Sequence, residues 1–156
     1  MANFKYRWCE NQFRLGAINI TSATISAALV MSNSTCNLDL GARTITGANG
    51  FGTLDEIAGG LGYSRQTMSA KALTEDATLN DFYFSANLVN FGTVSSSVPR
   101  QIKGALLFIN LGTDATSIPF IWIDSVDSGP TFPFTVPGGG AVVRLTPNNL
   151  IWARFR

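Results

Sequence analysis

Ten acidic residues, two cysteines and no histidine bound the acid–base and metal chemistry open to this 156-residue chain. Without histidine there is no Ser-His-Asp or Cys-His relay, and the commonest zinc ligand is missing. Cys9 and Cys36 lie too far apart in sequence for a zinc ribbon or a CxxC redox pair, and whether they approach each other is open. A glycosidase needs two carboxylates facing across a cleft. Asp124 and Asp127 flank one turn, and Glu75, Asp76 and Asp81 flank another; loop solvation accounts for both groups. Weak calcium binding by the 124–127 pair is the remaining metal reading, and no EF-hand pattern supports it. The run Gly47-Ala48-Asn49-Gly50-Phe51-Gly52 has the glycine density of a phosphate loop but lacks the Gly-Lys-Ser/Thr ending. These residues predict a protein that is not an enzyme and takes no cofactor and no metal.

Recognition chemistry is better supplied. The chain carries 11 Phe, 3 Tyr and 3 Trp, so its aromatic load exceeds what acid–base residues could use. Trp122 with Asp124, or Tyr63 with Gln66, has the aromatic-plus-polar pairing of a carbohydrate platform. Phe4, Tyr6, Trp8 and Phe13 crowd one terminus, and Trp152 and Phe155 the other. Aromatic residues at chain ends are typical interface anchors. They also fit edge strands of one common sheet, and the two readings are compatible.

Composition sets the scaffold. Hydrophobic residues make up 46% and charged residues only 13%, about half the usual share, so the chain folds and its surface is neutral and polar. A chain of this length forms one domain with a core large enough to stand without disulfides. The net charge of +1 leaves no field to steer a polyanion, and no basic stripe appears, which argues against direct nucleic-acid binding. Basic residues gather at the ends: Lys5, Arg7 and Arg14 at one, Arg144, Arg154 and Arg156 at the other. If the ends meet, they make a modest basic patch. No stretch approaches the ~20 apolar residues that cross a bilayer. Glu10, Gln12 and Arg14 fall where a secretory leader would be apolar, so the thiols are expected to stay reduced.

Periodicity then places the elements. Residues 24–31 read as a strand apolar on both faces, as in a sandwich interior or a subunit contact. Strands are also expected at 63–73, 81–91, 102–111, 118–124, 131–136, 141–145 and 150–155, separated by Gly, Pro, Asn and Ser turns. Residues 32–54 read as loop or weak strand, and 74–80 as a turn. Thr53 and Glu56 form a capping box for one helical turn at 54–58. In residues 1–15 the period-two spacing of Phe4, Tyr6 and Trp8 suits a strand, while a short amphipathic helix through Phe13 is the alternative. The expected architecture is an all-β sandwich, jelly-roll-like or Ig-like, of seven or eight short antiparallel strands with at most one short helix. Residues 1–15 form an arm, an interface segment expendable for folding, on a single domain at 16–156.

The segment Glu56-Ile57-Ala58-Gly59-Gly60-Leu61-Gly62-Tyr63-Ser64-Arg65 resembles a recurrent motif of small virion structural proteins of tailed bacteriophages. In those, an acidic residue precedes a glycine-rich turn, then Gly-Tyr, a small residue and Arg; Glu56, Gly59, Gly62, Tyr63 and Arg65 carry the match. The flanking strands at 24–31, 82–88, 102–110 and 132–140 resemble the same pattern, over about residues 15–146. The resemblance implies a virion component made in the host cytoplasm, with no reaction and no cofactor. Most specifically it implies a capsid decoration or cement protein bound to the major capsid protein and forming homo-oligomers in the particle. A neck, tail or tail-fibre component, with receptor or glycan binding, is the alternative. The N-terminal arm and the 147–156 tail depart from the pattern.

Overall fold

The computed structural model describes residues 3–57, 62–95, 101–126, 130–147 and 151–155. Among these the chain is mostly β, with one helix of eight residues. The central element is β7, Gln101–Ile109. On one edge it pairs antiparallel with β2, Ile25–Met31; on the other it pairs with β8, Ile118–Ile123, and then with the two-residue β9, Phe134–Thr135. The two-residue strands β1, Phe4–Lys5, and β3, Gln66–Thr67, close the outer sides of β8 and β2. Two smaller sheets complete the set. One joins β4, Ala72–Asp76, β5, Asp81–Ser85, and β11, Ile151–Phe155; the other joins β6, Val89–Val94, and β10, Ala141–Leu145.

The two-faced apolarity of residues 25–31 has a direct structural use. Every residue of β2 is buried. Ile25, Ala27, Leu29 and Met31 join Ala105, Leu107, Ile109, Ile121 and Ile123 on one face of the large sheet. That face packs against Phe84, Phe91, Val143, Leu145, Trp152 and Phe155 from the small sheets, making the sandwich. Ala28 and Val30 face the other way, with Leu106, Phe108 and Trp122. Residues 32–57 cover this second face and insert Cys36, Ala42, Ile45 and Phe51 into it. The molecule therefore has three layers, and the third contains no regular strand among its described residues. Gly104 serves the same face: a Cβ there would overlap the Trp122 ring, so the bare backbone makes room for the indole.

A bulge in β8 explains an irregularity in its pattern. Leu107 lies opposite Ile121 while Phe108 lies opposite Pro119, so Phe120 is the extra residue. It turns to the sandwich face, where its ring meets Phe84 edge-on at 5.3 Å and stacks near Phe155 at 6.3 Å.

Several elements differ from the sequence expectation, each for a local reason. The expected strand at 81–91 is two strands in different sheets. The chain breaks at 86–88, where Trp152 Nε1 donates to the Ala86 carbonyl at 3.2 Å and satisfies a group the ladder has released. Ala72–Asp76, read partly as turn, pairs with β5 over its whole length. Of 63–73, only Gln66–Thr67 and the start of β4 are strand. The capping box does not form. Glu56 bridges Val30 in an extended conformation, Met31 N–H donates to Asp55 O at 2.7 Å, and Ile57 N–H donates to Leu29 O at 3.2 Å.

The largest difference concerns the arm expected at 1–15, whose described residues, 3–15, are integrated into the domain. Both competing local readings hold in part: Phe4 and Lys5 are extended, and α1 runs Arg7–Arg14. The helix buries Cys9 and half-buries Phe13 four residues on, the spacing of one helical face. Its end is a Schellman motif: Gly16, at φ +71°, donates to Phe13 O at 3.0 Å, and Ala17 donates to Gln12 O at 2.9 Å. Tyr6 is fully buried between the layers, and its hydroxyl donates to Cys36 O at 2.7 Å. Cys9 and Cys36 are both free and lie in cores on opposite faces of the large sheet. Burial pushes both thiols up, to about 12 and about 11, so they act as small apolar residues.

Deleting residues 2–12 removes Tyr6 and the β1 pairing and uncovers two cores. The expected outcome is loss of cooperative thermal unfolding by circular dichroism; a deletion variant melting like the full chain would contradict this placement. Gly16→Ala forces a Cβ into the left-handed region with no compensating contact, and is expected to cost about 1 kcal/mol in denaturant unfolding.

Candidate functional site

The motif residues Glu56, Tyr63 and Arg65 meet in one polar cluster, joined by a partner that sequence spacing did not reveal. Arg65 reaches two carboxylates. Its Nε and Nη2 donate to Glu56, the shortest contact being 2.6 Å, and its Nη1 and Nη2 donate to Asp114 at 2.5 and 2.8 Å. Both pairs are bidentate, the geometry for which a guanidinium is suited and an ammonium is not. The guanidinium also lies 5.1 Å from the centre of the Phe108 ring. Tyr63 donates to Glu56 Oε1 at 2.6 Å and accepts from Leu29 N–H at 3.0 Å, while its ring stacks on Phe91 at 5.9 Å.

Each bond has an architectural consequence. The outer edge of β2 is closed in sequence by β3, by the Tyr63 hydroxyl and by residues 55–57. No N–H of that edge between Ala27 and Met31 needs a strand from elsewhere. Asp114 lies in the turn between β7 and β8, and its backbone carbonyl accepts from Ile45 and Thr46 N–H, both at 3.1 Å. One guanidinium thus ties the end of the cover, the edge strand β3 and the β7–β8 turn. Gly62 of the motif has φ +85° and Gly59 lies outside the described residues. The cluster is a structural clamp: its donors and acceptors are spent on one another.

The remaining candidates separate in the same way. Trp122 is 1% exposed beneath the cover, and Tyr63 is committed to Glu56, so neither carbohydrate platform forms at the expected residues. Asp76 and Asp81 both bind Arg154, at 3.0 and 2.9 Å, and so form an ion-pair cluster instead of an acid pair facing a cleft. Asp127 lies outside the described residues, and among those described no group of three or more Cys, Asp or Glu could hold a metal. The glycine run at 47–52 forms a turn closed by Gly50 N–H to Gly47 O at 3.0 Å, which inserts Phe51 into the core.

The six terminal aromatics divide between core and surface. Tyr6, Trp152 and Phe155 are buried within the chain, so burial in its own core takes them from the role of protruding anchors. Phe4, Trp8 and Phe13 are half-buried. The termini do meet: Phe13 and Phe155 rings lie 4.9 Å apart, and Lys5 Nζ sits 4.7 Å above Phe155 while pairing with Glu10 at 3.0 Å. Where they meet, Phe13, Arg14, Leu73, Phe82 and Phe155 line an open apolar cleft of about 360 Å³. Leu73 and Phe82 were not among the sequence candidates, because the alternation of Phe82, Phe84 and Ala86 assigns Phe82 to the same core face as Phe84. Phe82 is 46% exposed.

Arg65 holds the Asp114 carboxyl below the usual carboxylate range, chiefly through its hydrogen bonds. Asp114 therefore binds a proton more weakly folded than unfolded. Its contribution to stability is complete above the ordinary carboxylate pKa, about 3.9, and is lost as pH falls through the lower folded value. Arg65→Ala is expected to lower unfolding stability by about 2 kcal/mol at neutral pH and to flatten the loss of stability on the acid side. Urea titrations at neutral pH and below pH 4 read both effects; an unchanged acid limb in Arg65→Ala would contradict the pairing. Comparison with protein-family models, with curated proteins and with solved structures finds no match to this chain.

Proposed function

We propose that the protein is a non-enzymatic structural component of a tailed-phage virion, and specifically a capsid decoration or cement subunit that packs against neighbouring subunits. The observation that carries this reading is the apolar cleft where the termini meet. Phe82 and Leu73 present apolar surface on a chain whose charged residues are only 13%. Leu15 and Leu79, in the segments flanking α1 and β5, are 70% and 51% exposed. Among the described residues β4 has no partner on its outer edge, and that edge accepts strand addition. The motif Glu56, Gly62, Tyr63 and Arg65 supports the same reading through its resemblance to small virion proteins.

Such a subunit gains stability by mass action once the lattice supplies its partner. An anchor seated in an apolar cleft and ringed by polar groups is the usual form of a protein–protein hot spot. Arg14, 58% exposed at its side chain, supplies the charged rim. A neck or tail station would use the same surface against a different partner.

The test is a cryo-EM reconstruction of the purified source particle with this chain traced in the map. Density over the capsid lattice with the Phe13–Phe82 cleft at a subunit contact is the expected result. Density confined to the portal axis or tail replaces the decoration role with the neck or tail role. No density for the chain anywhere overturns the reading. Phe82→Ala is expected to lower particle occupancy at least about tenfold while the chain still unfolds cooperatively, since Phe82 is half exposed in the free chain.

A further inference from the structure

The three-stranded sheet ends in an unused edge. β5 lies between β11 and β4, so β4 has no neighbour on its far side among the described residues. Its pairing with β5 runs from Ala72↔Ser85 to Asp76↔Asp81 without a register shift, and the strand contains no proline. A bulge and a proline, two devices that usually blunt an edge, are therefore missing. Ala72, Thr74 and Glu75 are exposed, and Leu73 is half-buried where it lines the Phe13–Phe82 cleft. Ala70, at φ +50°, ends the extended run on the N-terminal side.

The charges on this edge are ordered so that it complements itself. Carried back one residue, the alternation of β4 puts Lys71 on the face of Leu73 and Glu75. The contact of Lys71 Nζ with Ala23 O agrees, since Ala23 and Leu73 both pack against the sandwich core. An antiparallel copy placed with Leu73 opposite its own equivalent sets Lys71 opposite Glu75 of the second copy, and Glu75 opposite its Lys71. Leucine meets leucine at the centre, and Ala72 meets Thr74 on the other face. The exposed Glu75 carboxylate has no partner among the described residues. The Lys71 ammonium keeps two further N–H groups to give. Asp76 is held at home by Arg154 at 3.0 Å. Neighbouring registers lose this match: one centred on Thr74 sets Glu75 against Leu73, and one centred on Glu75 sets like charges face to face.

We propose that two copies of this chain pair antiparallel through β4, joining two three-stranded sheets into one of six strands about a two-fold axis. Main-chain hydrogen bonds give the pairing its affinity, and the Lys71–Glu75 contacts, made twice, fix its register. A single added strand buries little surface, so the pair is a weak, transient dimer with a dissociation constant on the order of 100 μM. The dimer forms from the isolated chain and does not rest on the virion reading.

Sedimentation equilibrium of the full chain tests the pairing. A monomer–dimer equilibrium is expected, and a chain that stays monomeric up to about 1 mM overturns the proposal. Lys71→Glu sets two pairs of like charges across the axis and is expected to weaken the dimer at least about tenfold. Adding Glu75→Lys restores opposite charges and is expected to recover it; a double variant no tighter than Lys71→Glu alone contradicts the pairing. Oxidation reads the register directly. In Leu73→Cys the two new thiols flank the axis with Cα atoms about 4.5–5.5 Å apart, within disulfide reach. In Thr74→Cys they sit diagonally, about 7–8 Å apart, beyond that reach. Cys9 and Cys36 are buried and do not compete. A covalent dimer is expected from Leu73→Cys and not from Thr74→Cys; equal cross-linking of the two, or none in either, overturns the proposal.

Discussion

The guanidinium of Arg65 holds Glu56 on one side and Asp114 on the other, and the third layer of the protein depends on that grip. Glu56 ends the covering segment, Arg65 precedes the edge strand β3, and Asp114 sits in the turn between β7 and β8. None of the three positions is adjacent in sequence, and one side chain sets their spacing. Part-buried bidentate pairs of this kind orient the groups they join more firmly than exposed ion pairs, whose net contribution is small. Tyr63 extends the grip to the backbone of β2 by accepting from Leu29.

The need for such a clamp follows from the central strands. β2 and β7 are apolar on both faces, so one partner sheet cannot bury them. The second face is covered by residues 32–57, a segment of turns whose backbone groups find partners in each other and in the β7–β8 turn. Arg43 and Thr44 donate to Asn49 O, and Ile45 donates to both Asp114 O and Ser117 O. A cover without a ladder of its own has little local stability, so its position is set by Ile45 and Phe51 in the core and by the clamp at its end. Tyr6 completes that layer, and the residues from 3 to 14 therefore belong to the fold.

Much of the strand layout was legible because short apolar runs bounded by turn residues survive in the structure: 25–31, 101–109, 118–123, 141–145 and 151–155 lie close to where the sequence puts them. Long-range pairings were less legible. The alternation of Phe82, Phe84 and Ala86 continues to Leu88 as though one strand ran through, but the pairing partner changes from β11 to β10, and only tertiary context fixes that break. The box of Thr53 and Glu56 is worth about 1 kcal/mol locally, less than a carboxylate gains from Arg65 and Tyr63 together, so the extended form wins. The terminal aromatics were recognisable as anchors, yet their number alone could not separate an anchor on a neighbour from one in the chain's own core. Asp114 carried no signal, since a lone aspartate in a turn looks the same whether solvated or paired.

Glu56, Tyr63 and Arg65 build the scaffold, and the apolar cleft lined by Phe13, Leu73, Phe82 and Phe155 lies apart from them, where the termini meet. Native-state hydrogen exchange comparing the wild type with Asp114→Asn tests the clamp most directly. The account predicts that Ile45, Thr46, Phe51 and Ile57 amides lose protection together, while amides of β5 and β11 keep theirs. Uniform loss across all strands, or unchanged protection at Ile45 and Phe51, would contradict it.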